Sequence, residues 1–122
     1  MPPLPDFQAV TGGVLNTKVV DVVNGAFSVT GGQVDLTTLT VAKDGTATLG
    51  IRDEKKDVAK VADLTNAGEV TLNKAEAQKI TNSNKVTLDA GAKVGSLTNK
   101  KGGEVSVEGD AEIGKLTSLN FA

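Results

Sequence analysis

The sequence predicts an all-β protein whose C-terminal half is a β-solenoid of short strands. Three observations carry that expectation: brief runs rich in Val and Thr that alternate apolar and polar residues, glycine breaks between them, and an internal repeat that begins at Leu64. Branched residues suit the pleated, half-buried surface of a sheet, and period-2 alternation over four to eight residues is the pattern of a strand with one buried face.

In chain order, residues 1–9 come first. Pro2, Pro3 and Pro5 remove backbone donors and hold the segment extended, so it reads as an arm, with Leu4 and Phe7 as the apolar anchors it could lay on a neighbouring subunit. Residues 10–51 read as an irregular β region, broken at Gly12-Gly13, Gly25, Gly31-Gly32 and Gly45. Val34, Leu36, Leu39 and Val41 alternate with polar residues, as do Ala47, Leu49 and Ile51; Asp44-Gly45 between them marks a hairpin or a tight coil corner. Residues 52–63, RDEKKDVAKVAD, form the most charged stretch: a connector, or a short helix with Val58, Ala59, Val61 and Ala62 on one face.

The repeat fills residues 64–122. Its copies are LTNAGEVTLN (64–73), ITNSNKVTLD (80–89), LTNKKGGEVSVE (97–108) and a final LTSLN (116–120). The leading residues Leu64, Ile80, Leu97 and Leu116 recur with a period of roughly 16–19 residues, too short for helical-hairpin repeats and suited to one solenoid coil of three short strands. Such a unit buries its aliphatic side chains only by stacking on its neighbours. Val70, Val86 and Val105 would then form one column, Leu72, Leu88 and Val107 a second, and Asn66, Asn82 and Asn99 an asparagine stack. The rival arrangement is a set of antiparallel hairpins.

Composition limits the chemistry. The chain has 122 residues, enough for one domain, and lacks Cys, His, Trp and Tyr. The commonest general base, the commonest metal ligand and the best nucleophile are therefore missing. Acidic pairs such as Asp53/Glu54, Glu108/Asp110 and Asp110/Glu112 fall on charged stretches that read as solvated edges. Oxygen-rich corners at Asp44-Gly45-Thr46 and Glu108-Gly109-Asp110 offer two or three ligands where calcium takes about six to eight. No phosphate-loop or dinucleotide motif is present. The expectation is a non-enzyme with no cofactor and no metal. A net charge of −2 gives no footprint for nucleic acid or an anionic membrane. No secretory signal and no apolar run of about 20 residues is visible, so synthesis in the cytoplasm is expected.

What remains is action through surfaces. The ends of a stacked-coil domain leave backbone groups and apolar layers to be covered, and Leu119 and Phe121 are candidates for an end contact or for folding back over the last coil. Residues 85–116, KVTLDAGAKVGSLTNKKGGEVSVEGDAEIGKL, resemble the coils of bactofilins, polymer-forming bacterial cytoskeletal β-helices, in their V-x-V-x-x-G-x-x-x-G phrasing; residues 10–63 depart from it. As a whole, the Pro-rich arm, the Val/Thr/Gly-rich body and the absence of Cys resemble small phage head-decoration and fibre proteins. That resemblance implies a homo-oligomer, with a trimer favoured, that binds a capsid or other shell protein at the virion surface after synthesis in the host cytoplasm. The bactofilin resemblance implies a cytoplasmic filament instead. The repeat phrasing is also similar to that of autotransporter-type adhesin passengers, which implies a surface adhesin fragment.

Overall fold

Alternation of inward aliphatics with outward polar residues persists from Val20 to Thr117, and it folds the chain into one stack of parallel coils. The computed structural model describes the backbone of residues 7–10, 14–15, 18–30, 33–50 and 58–118, and the side chains of residues 18–30, 33–50 and 59–118. The strands are β1 (Phe7–Val10), β2 (Val14–Leu15), β3 (Val19–Val29), β4 (Gln33–Gly50), β5 (Val58–Asn66), β6 (Glu69–Asn73), β7 (Glu76–Asn82), β8 (Lys85–Leu88), β9 (Lys93–Asn99), β10 (Glu104–Val107) and β11 (Glu112–Ser118). Among the described residues there is no helix, and every strand pairing is parallel. Hairpins, which need antiparallel neighbours, are excluded there.

Each coil contributes to three ladders. The first joins β1, residues 26–29 of β3, residues 46–50 of β4, β6, β8 and β10. Its rungs begin at Phe7, Ala26, Thr46, Glu69, Lys85 and Glu104, which makes about five turns. The other two ladders run through β5, β7, β9 and β11 and are separated by a corner where pairing lapses at Ala62, Gln78, Gly95 and Gly114. β4 is long enough to serve on both sides, pairing with β5 through residues 33–41 and with β6 through residues 46–50.

The N-terminal half, expected as irregular β, lies in the same stack with longer and uneven coils. Its registry shifts between Val22 and Asn24, where one strand accommodates extra chain. Asp44-Gly45 is a coil corner inside β4, stacked on Asn24-Gly25. The helix option for residues 52–63 is corrected over its second part, since residues 58–63 belong to β5. There Ala59 and Val61 are buried while Lys60 and Asp63 are exposed, and that alternation has the period of a strand. Residues 52–57 lie outside the described residues.

The core is a line of side chains along the stack axis. Phe27, Ala47, Val70 and Val86 follow one another in a buried column, and Val29, Leu49, Leu72 and Leu88 form a second. Leu39, Leu64, Ile80 and Leu97 form a third, each 0 % exposed. Burying a side chain of this size stabilises by roughly 1.5–3 kcal/mol.

Candidate assembly surface

The local chemistry of the corners decides where the stack can continue. Asn66, Asn82 and Asn99 occupy one position on successive coils and are buried at the start of a corner. Asn66 Nδ2 donates to Asn82 Oδ1 at 2.9 Å, and Asn82 Nδ2 donates to Asn99 Oδ1 at 2.9 Å. Within its own corner, Asn66 Oδ1 accepts from the Gly68 N–H at 3.0 Å, and Asn82 Oδ1 accepts from the Asn84 N–H at 3.2 Å. Nδ2 of Asn66 and Asn82 also reaches the carbonyls of Lys85 and Glu104, at 2.8 and 3.0 Å. Each amide thus closes its own corner and ties it to the next coil. Among the described residues no buried side-chain polar atom lacks a partner, as burial of such groups requires. The ladder stops at Asn99, because the residue paired with it on the last coil is Ser118.

The last described rung comprises β10 and β11, which pair only with β8 and β9. Val105 and Val107 continue the columns of Val86 and Leu88, and Leu116 continues that of Leu97. One rung down, Leu88 and Leu97 are 0 % exposed, whereas Val107 is 56 % and Leu116 55 % exposed. The two are inward-facing residues left with cover on one side. At the other end of the described stack β1 pairs only with β3, and β2 only with β4.

Outward-facing charges are also ordered by the stack. Asp35, Lys60, Glu76, Lys93 and Glu112 are register neighbours on successive coils, all exposed, with the sign alternating at every step. Lys60 and Glu76 form an ion pair at 3.9 Å. Glu69, Lys85 and Glu104 alternate in the same way on the first ladder. Opposite charges on paired strands attract by roughly 0.2–1 kcal/mol and like charges repel, so the columns favour this registry over a slipped one. Both end in a glutamate, and the last rung carries Glu104, Glu108, Asp110 and Glu112 against Lys115, with Lys100 and Lys101 exposed on the corner that leads into β10.

An open groove of about 640 Å³ follows the lapsed corner, lined by Glu76, Gln78, Lys93, Gly95, Glu112 and Gly114. A Cβ on Gly95 would come 2.6 Å from the Gln78 carbonyl oxygen, and one on Gly114 would come 2.6 Å from that of Gly95. The close stacking of carbonyls against glycine keeps the groove free of side chains at those levels.

Of the residues singled out in the sequence, Val70, Val86 and Val105 stand in one column, and Leu72, Leu88 and Val107 in another. The backbone of Phe7 opens β1 opposite Ala26, while its side chain lies outside the described residues. Leu4, Leu119 and Phe121 also lie outside them. The alternating charge columns and the exposure of Leu116 were missed; no signal along the chain shows them without the registry.

These features define a parallel β-solenoid whose described stack has two unpaired ends. Comparison with family models, with curated proteins and with solved structures finds no match to this chain.

Proposed function

We propose that this chain is a non-enzymatic structural protein, a β-solenoid block that works by joining other protein subunits through its ends and outer faces. The observation that carries this reading is the terminal rung, whose outer strand edges have no partner among the described residues and whose Val107 and Leu116 are more than half exposed. Uncovered rungs of this kind are templates for another chain. The lack of His and Cys supports a role without catalysis.

The setting we favour is a virion decoration or fibre protein, homo-oligomeric with a trimer preferred, that stabilises a protein shell. Its support is the Pro-rich arm with Leu4 and Phe7 next to a β body. Because β1 starts at Phe7, removing residues 1–6 leaves the first rung intact and takes away the Leu4 anchor while keeping Phe7. Mass photometry of candidate shell particles should show them gaining mass with the full chain and not with the shortened one. Equal binding by both would rule out Leu4 and the proline segment as the contact.

A second reading, a polymer-forming cytoskeletal β-helix, is favoured by the coils, which run through the described N-terminal half as well as the repeat. Negative-stain images of the purified protein separate the two, since filaments support the polymer and discrete oligomers the decoration protein.

A further inference from the structure

We propose that the C-terminal rung is a self-docking end that receives the N-terminal rung of a second copy, head to tail, so that the parallel ladders run on from one molecule into the next. The inference deepens the second reading above, the polymer, and rests on it.

The argument starts from continuity. Both terminal rungs belong to the same parallel ladders and, among the described residues, have a neighbour on one side only. Adding a rung with the same registry sets Val20 over Leu116 and Val22 over Ser118, and brings Val10 to the register position over Val107. Val20 is an inward-facing member of the Leu39 column and only partly buried, so it meets Leu116 as one incompletely covered column residue meets another. Stacking them extends the Leu39–Leu64–Ile80–Leu97 column and hydrogen-bonds the free edges, which is how every interior coil of this molecule is satisfied.

Charge agrees with this polarity. Joining two C-terminal rungs would bring Glu104, Glu108, Asp110 and Glu112 of one copy to the same end of the other, a repulsion that Lys100, Lys101 and Lys115 offset in part. In the head-to-tail arrangement the described part of the incoming rung brings Lys18 and Asp21 only, and Lys18 takes the register position over Gly114, close along the strand from Glu112. The C-terminal end, with four acids against three lysines, meets a rung that is close to neutral and has its cation beside the groove.

The chain has no Cys, so paired cysteine substitutions report the contact directly. Stacked parallel strands lie about 4.8 Å apart, within the Cα separation a disulfide spans. Within one molecule, residues 20 and 116 are separated by about five such steps, roughly 24 Å, too far to close on themselves. Val20→Cys and Leu116→Cys variants, mixed under a mild oxidant, should give disulfide-linked dimers, and neither variant should do so alone. Dimers from Leu116→Cys by itself would mean that C-terminal ends meet each other and would overturn the proposal. So would a mixture that stays monomeric while both variants keep the wild-type circular dichroism, which is the outcome expected if residues 119–122 or an unrelated partner cover the rung. Should either variant misfold, sedimentation velocity of the unmodified chain across a concentration series decides. Linear growth, weakened about tenfold or more by Leu116→Glu, supports the stack, and a monomer at every concentration sinks it. Such a failure leaves the structural role standing on its separate test against shell particles.

Discussion

Asn82 shows what one side chain does in this stack. It has two N–H donors and one carbonyl acceptor, yet it takes part in five hydrogen bonds: with Asn66, with Asn99, twice with Asn84 and with the Glu104 carbonyl. Removing it leaves several buried partners unsatisfied at once. Asn82→Ala is therefore expected to destabilise by about 3 kcal/mol in urea unfolding, well beyond the loss of a surface asparagine. Replacing Asn66 and Asn82 together should cost less than the sum of the two, because they share a bond. Glycine acts at the same scale. Gly95→Ala drives a Cβ onto the Gln78 carbonyl and should cost about 1–3 kcal/mol, whereas Gly102→Ala meets no atom within 4 Å and should cost only about 1 kcal/mol for its φ of +87°. A midpoint comparison of the two variants checks this.

At the scale of the element, the strands read well from sequence where the repeat is regular. The columns through Val70 and Leu72 were visible because their copies recur at nearly constant spacing and keep the Val-Thr-Leu phrase. The coil through β4 was not, although Leu39-Thr40 stacks on Leu64-Thr65 just as Leu64-Thr65 stacks on Ile80-Thr81. Two differences hid it. Val41 stands where the later coils carry Asn, and the stretch of chain from Leu39 to Leu64 is half as long again as that from Leu64 to Ile80. A strand position is insensitive to how far the corner before it wanders, so the eye loses a repeat that the ladder keeps. The charge columns were hidden for the same reason, since Asp35 and Lys60 become neighbours only through the registry. Lys93→Glu sets like charges against both Glu76 and Glu112 and should lower stability by about 1 kcal/mol at low salt. The deficit should shrink as ionic strength rises, because these groups are exposed and screened. A deficit that salt leaves unchanged would mean that the column is held by packing alone.

For the whole molecule, the dominant fact is that every strand partner lies a full coil away along the chain. No rung is satisfied within itself, so stability is a sum over contacts between neighbouring coils. Ending the chain at Gly103 removes one rung and its interface. The shortened protein should still fold, with the denaturant slope reduced by about a fifth in step with the surface lost. Complete unfolding of that variant would show the last rung to be a cap on which the others depend.

The ladder bonds all lie along the stack axis, whereas the covalent chain winds around it. Tension applied between the two ends would load one rung after another, peeling coils in sequence, and no single step would meet the resistance of the whole. Compression presses the aliphatic columns together and meets all of them at once. A rod built this way is a strut and a poor cable, suited to holding surfaces apart.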